Sequence, residues 1–377
     1  MKINGNSEKI LCILAERKVK PAGFIDVFRK NNSNINKTID YFLKHKNLEL
    51  EYRTNGVNGN FSGYNNGSYK KIIDFVLKNK IELLNIGDDN YPDILKQIYL
   101  PPPLLFFKGN KIKNLGFSIA VVGSRRCTAY GREAAIYISK SLSEMGIIVV
   151  SGLAAGIDSY AHKAALEGKG GSIGVLGCGI DVIYPPENKF LYENIPENGS
   201  IITEFIPGTP PLKSNFPVRN RIISGLCRGV VVVEAGEKSG AIITCDMALK
   251  QNREVLAVPG NIFSPTNRGC HRLIKEGAKL VENIDDVLDE FSRYTGKIFK
   301  PDKKNNVTSK KENKNPGIKL NGNELRIYEY IGYKSKSIED IVKYSGMEVK
   351  NVLRILAFLE INRLIKEESF NKYSRLF

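Results

Sequence analysis

The sequence predicts an α/β protein built on a doubly wound, mostly parallel sheet, with smaller helical units on either side. Two observations carry this. Between residues 117 and 290, six short β-branched runs alternate with helical stretches. Outside that span the apolar residues return at helical spacing, and a polar, basic stretch cuts the carboxyl-terminal part away.

Residues 1–66 read as a small helical domain. The opening "MKINGNSEKILCILAERK" has an acid before its short apolar run and charges within and after it, which predicts an amphipathic helix rather than a signal peptide. "IDYFLKHKNLELEY" then runs into "NGVNGNFSGYNNGS", a Gly/Asn-rich break expected to be a linker or loop. A core is expected over 67–295. Its entry, "YPDILKQIYLPPPLLFFKG", holds three consecutive prolines that stop any helix before the short strand "LLFFKG".

The six runs are "SIAVVG", "GIIVVSG", "SIGVLG", "SIITEF", "GVVVVEAG" and "EVLAVPG". Between them lie helical stretches such as "GREAAIYISKSLSEMG", "DSYAHKAALEG", "RNRIISGLC" and "GAIITCDMALKQN". Continuous apolar strands alternating with helices predict a parallel sheet buried on both faces, with right-handed crossovers. Residues 296–318 read as a basic linker. In 319–377 three helical segments, a Gly-containing turn between the second and third, and "SFNKYSRLF" as a hairpin arm predict a winged helix.

The formal net charge is +16, with 18 basic and 10 acidic residues from 296 onward. Such a balance favours polyanions, nucleic acid first. No apolar run approaches the roughly 20 residues of a membrane span. The cysteines at 12, 127, 178, 227, 245 and 270 form no CxxC pair, which argues against structural zinc and a disulfide framework. A cytoplasmic protein without a metal or cofactor is expected.

In open α/β sheets ligands bind beyond the carboxyl ends of the strands. There the sequence places Gly123-Ser124-Arg125-Arg126, Ser151-Gly152 leading to Asp158, Gly177-Cys178-Gly179, Glu234-Ala235-Gly236 and Pro259-Gly260. Glycine turns with free amides make anion-binding nests. Arg125, Lys189, Arg219 and Arg221 would add formal charge, giving a ledge for phosphate. The competing reading for Arg219 and Arg221 is a salt bridge to Glu204 or Glu234. Enzyme signals are poor. "GSRRCTAYG" is not a dinucleotide fingerprint and no Walker A sequence is present. Ser151 lacks a nucleophile elbow. His162 reads as a packed or capping residue and Asp158 as a helix N-cap.

These residues resemble the bacterial DNA-processing protein DprA (Smf) family. The shared motifs include "VVGSR", "SGLAAGID", "GCGIDVIYPPEN", "FPVRNRIISGLCRGVVVVEA", "KSGAIITCDMAL" and "GCHRLIKEGA", in family order across 110–290. The resemblance implies a Rossmann-like core that binds single-stranded DNA without catalysis. It implies a homodimer that protects incoming strands in natural transformation and helps load RecA despite single-strand-binding protein. The family's DNA site carries over to Gly123, Ser124, Arg125, Asn188, Lys189, Arg219, Asn220 and Arg221, with Ser151 and Gly152 lining it. Where some relatives have a basic residue after "YP", this chain has Pro186, and Lys189 is expected to supply the charge. Tyr184, Phe190 and Phe216 are candidate base platforms. The dimer surface would involve Cys245–Leu249 and Cys270–Ile274. The amino-terminal region resembles the SAM-like domain of some relatives.

Two other readings remain open on sequence. One is a phosphoribohydrolase-like nucleotide enzyme, but "EAGEKSGAIITC" lacks that family's Gly-Gly and catalytic Glu. The other is a winged-helix transcription regulator sensing a phosphorylated effector.

Overall fold

The computed structural model describes residues 3–15, 19–44, 68–109, 112–113, 115–292, 320–332, 335–362, 364–369 and 371–375. The chain divides into two compact units, Met1–Lys300 and Pro301–Phe377. The expected linker at 296–318 and most of the Gly/Asn-rich break lie outside the described residues.

Each of the six apolar runs forms a strand: β3 (Ser118–Val122), β4 (Ile148–Ser151), β5 (Ser172–Val175), β6 (Gly199–Thr203), β7 (Gly229–Val232) and β8 (Glu254–Ala257). With β1 (Glu82–Asn85), β2 (Leu104–Gly109) and β9 (Lys279–Leu280) they make one sheet in the order β1-β2-β6-β5-β4-β3-β7-β8-β9. The pairs from β6 to β9 are parallel, and β1 and β2 add an antiparallel edge. The sheet is Rossmann-like.

These strands carry continuous apolar runs because both faces are covered. Ile119 and Val121 face one core with Ile138, Leu142 and Ala161. Their neighbours Ala120 and Val122 face the other with Ile222, Leu226 and Cys245. The crossover helices include α6 (Ala129–Glu144) and α7 (Ile157–Ala165) on the first face, and α9 (Asn215–Gly225) and α10 (Gly240–Lys250) on the second. The chain winds outward from β3 to β6, then returns to the other side of β3 as β7. The order therefore reverses between β3 and β7, and a crevice opens above their carboxyl ends.

The amino-terminal helices, α1 (Gly5–Ala15), α2 (Pro21–Lys30) and α3 (Ile35–Lys44), were expected to stand apart. They do not. Ile10, Phe24 and Phe42 share one core with Leu84 and Phe106 of the antiparallel edge. Asn85 Nδ2 donates to Ser7 Oγ at 3.0 Å, and Arg29 donates to the Tyr99 carbonyl at 2.7 Å. The edge strands have an apolar face that these helices cover.

The second unit contains helices at Gly322–Ile331, Ile338–Ser345 and Val349–Ile361, and strands at Lys336–Ser337, Ile365–Ser369 and Lys372–Arg375. The strands pair antiparallel, with the last one central. Gly346 closes the second helix at φ 66°, a left-handed cap that glycine adopts freely. The third helix stops at Ile361, and Ile365–Ser369 forms a strand. Leu364 and Ile365 are buried in the unit's core, so pairing with the last strand outweighs helix propensity there.

Candidate nucleic-acid interface

Above β3 the chain turns through Gly123-Ser124-Arg125-Arg126. Gly123 is the only residue that fits its place: an added Cβ would lie 2.6 Å from Ile157 and 2.9 Å from the Glu234 carbonyl. Ser124 N donates to that same carbonyl at 2.6 Å, and the Ser124 carbonyl accepts from Ile157 N. The Ser124 hydroxyl accepts from Arg126 N and donates to Arg126 O, closing the turn on itself. The loop is thereby fixed and the Arg125 side chain is left exposed.

The neighbouring loop after β4 is built as tightly. Gly156 sits at φ 80°, with an added Cβ 2.2 Å from the Ser124 carbonyl. Asp158 is not the N-cap expected of it. It lies inside the first turn of α7, where its buried Oδ2 accepts from Gly152 N at 3.0 Å and Ala154 N at 3.4 Å. Burial raises its carboxyl above the ordinary range, while the Arg219 guanidinium and these amides work against that. His162 is a packed residue, as expected. Its Nε2 accepts from Leu153 N and its Nδ1 meets Ser172 Oγ at 2.7 Å. Burial, then Arg219, lowers its pKa to about 3, so the ring is neutral.

Beneath these loops Arg219 is 3% exposed. Its Nη1 donates to the Gly152 carbonyl at 2.7 Å and to that of Val175. Its Nε has no partner among the described residues. Burial lowers its pKa to about 10, still far above neutrality, so it is a cation.

A cavity of about 820 Å³ opens here. Five cations line it: Arg125, Arg126, Lys213, Arg219 and Lys238, against one carboxylate, Asp158. Phe216 also lines it, with the Arg125 guanidinium 5.2 Å and the Arg219 guanidinium 5.8 Å from its ring centre. Tyr184 stands 5.6 Å from the same ring and is 38% exposed. Charge for phosphate and a ring for a base therefore meet at one place.

Of the expected site residues, Gly123, Ser124, Arg125, Arg219 and Asn220 line this cavity, and Gly152 lines a smaller one that shares Arg125, Tyr184 and Phe216. Others have different work. Ser151 is buried and donates to the Val121 carbonyl at 2.7 Å. Asn188 holds the carbonyls of Leu153 and Ala154 and accepts from Ser159. Lys189 lines neither cavity and lies 3.8 Å from Glu193. Phe190 is 59% exposed but likewise lines neither.

Arg221 is the correction. It faces away from the cavity, where its guanidinium spans both carboxylate oxygens of Glu204 and its Nε donates to the Leu100 carbonyl at 2.9 Å. Residues two apart on a helix point to nearly opposite sides, and α9 is a helix throughout this stretch. Lys213 and Lys238 were missed, and Arg126, though named at the strand end, was not counted among the charges. Arg126 directly follows a residue that was chosen. The two lysines sit in loops whose approach to the site only the fold reveals.

The family model described as DNA recombination-mediator protein A matches residues 82–292, more than half of the chain. The chain belongs to that family. Its description is that of a mediator, not of a catalyst. The family match covers the sheet and every cavity residue described above. The DNA processing protein DprA of Streptococcus pneumoniae is 49% identical over 213 residues, 56% of this chain and 75% of that one. The Bacillus subtilis protein of the same name is 44% identical over 222 residues, 59% of this chain and 75% of its own. The X-ray structure of the pneumococcal protein superposes with TM-score 0.56 and 41% identity, over 72% of this chain and 98% of that one. A structure of DNA processing protein A from Helicobacter pylori, described by its single-stranded DNA binding mode, matches with TM-score 0.51 and 27% identity, over 56% and 96%.

Proposed function

We propose that this protein binds single-stranded DNA in the crevice above β3 and β7 and acts there as a recombination mediator. The observation that carries the reading is the Phe216 ring, with the Arg125 and Arg219 guanidiniums 5.2 and 5.8 Å from its centre, in the wall of a five-cation cavity. Phosphate contacts supply salt-dependent affinity, and a ring beside them supplies stacking that tolerates any base. A duplex hides its base faces inside its own stack. Only an unpaired strand can offer one to Phe216 while its phosphates meet the arginines.

The proposal extends to a wider role. The bound strand would be protected and handed to RecA in the presence of single-strand-binding protein, in the cytoplasm of a cell taking up DNA. A homodimer is part of this reading. Leu249 and Leu280, 56% and 40% exposed, are apolar side chains such an interface would cover. The second unit, with three helices and an antiparallel hairpin, fits a winged helix that recruits a further partner. Among the described residues no helix is long and apolar enough to cross a membrane.

Fluorescence anisotropy with a labelled oligothymidylate, a matched duplex and a mononucleotide competitor tests the reading. It expects tight binding of the single strand, weak binding of the duplex, and little competition from the mononucleotide. Strong competition by the mononucleotide would instead favour a small-effector sensor.

A further inference from the structure

A second cavity of about 550 Å³ lies beside the first. Its lining comes from the start of α6 (the cap Thr128, and Tyr130) and the segment after β8 (Pro259, Asn261, Ser264, Asn267 among others), and carries no formal charge. The loops that line the two cavities are tied together through Glu234. Thr128 N and Oγ1 donate to Glu234 Oε2 at 2.9 and 3.0 Å, while Ser124, in the first cavity, donates to the Glu234 carbonyl. Gly236 lines the first cavity, and an added Cβ there would lie 3.5 Å from the Pro265 carbonyl, in the segment bounding the second.

Three features give the second cavity a chemistry. Asn267 is 5% exposed, and its Oδ1 has no partner among the described residues. A buried acceptor without a partner, on a residue that lines a cavity, favours a ligand that brings a donor. Tyr130 is half exposed, its ring fixed by a 2.6 Å hydrogen bond from the hydroxyl to the Pro259 carbonyl. At the loop tip Phe263 is 86% exposed, yet the tip is a fixed turn: Phe263 N donates to Asn261 Oδ1 at 2.9 Å and Ser264 N to the Asn261 carbonyl at 3.0 Å. An uncharged hollow with an amide acceptor, hydroxyls and an aromatic wall suits a planar neutral group carrying N–H donors. It does not suit a phosphate, which would meet no cation there.

We propose that this second cavity takes a nucleobase of the same strand whose phosphates occupy the first, with Phe263 stacking on an adjoining base. Every base offers an N–H donor toward Asn267 Oδ1, and stacking is tolerant of sequence. The strand then leaves the cationic crevice past Thr128 and crosses to the segment after β8. This rests on the single-strand reading above and extends the site to residues that carry no charge.

Phe263→Ala alters an exposed side chain and leaves the fold in place, whereas Asn261→Ala removes the acceptor that fixes the Phe263 turn. Their affinities for an oligothymidylate, and for an abasic strand with the same number of phosphates, are measured by anisotropy across a salt series beside Arg125→Ala. The proposal expects Phe263→Ala to weaken oligothymidylate binding at least about five-fold, with an unchanged salt slope, and to have no effect on the abasic strand. Asn261→Ala should act in the same direction. Equal binding of oligothymidylate by wild type and both variants, while Arg125→Ala still weakens it, overturns the second cavity alone. Loss of single-strand preference in the wild type, or no effect of Arg125→Ala, overturns both readings.

Discussion

Arg219 and Arg221 stand two residues apart on one helix and serve opposite sides of it. Arg219 reaches under the strand-end loops to the Gly152 carbonyl, while Arg221 grips Glu204 in the core behind. One lines the crevice; the other braces the helix that carries it.

Arg221→Ala should therefore cost stability rather than a DNA contact. The pair is buried, with side chains 8% and 5% exposed, and truncation strands the Glu204 carboxylate. Losing one partner of such a pair costs about 3–5 kcal/mol. Replacing both residues with apolar ones, Arg221→Met with Glu204→Leu, should recover most of it. Urea denaturation of the three proteins measures both effects.

Phe216→Ala should weaken single-strand binding by about 1–3 kcal/mol, the usual worth of a stacked base. The salt slope should stay near that of wild type, because no phosphate contact is removed. Anisotropy titrations at three salt concentrations separate the two quantities.

His162 gives the fold a pH dependence. An unfolded histidine takes up a proton near pH 6.5, whereas the folded ring resists it until about pH 3. Between those values the unfolded state binds more protons, so stability falls as pH falls, by up to about 1.4 kcal/mol per pH unit. Asp158, whose carboxyl is raised by burial, works in the opposite direction. His162→Gln isolates the histidine, since an amide can both accept from Leu153 N and donate to Ser172. The difference in unfolding free energy between wild type and variant should be flat above pH 6.5 and change steadily below it.

The sheet was legible because fully buried parallel strands leave continuous apolar runs, and all six runs became strands. The strand-end glycines were legible for a related reason: at Gly123 and Gly156 no side chain fits. Two kinds of information were not. The first is direction around a helix, which sends Arg221 inward. Read as a helix, "FPVRNRIISG" already implied that its two arginines could not face one ligand. The second is the packing of separate segments, which brings Lys213 and Lys238 to the cavity and lays α1–α3 on the sheet edge. Neither leaves a local pattern in the chain.

The most direct test of the strand-end site is the salt dependence of oligothymidylate binding for wild type and Arg125→Ala. Arg125 is exposed and its removal leaves the buried framework intact, so the variant should fold as wild type does. The account predicts weaker binding and a salt slope reduced by roughly the worth of one phosphate contact, about 0.7. An unchanged affinity and slope would contradict it and move the DNA site elsewhere on this basic chain.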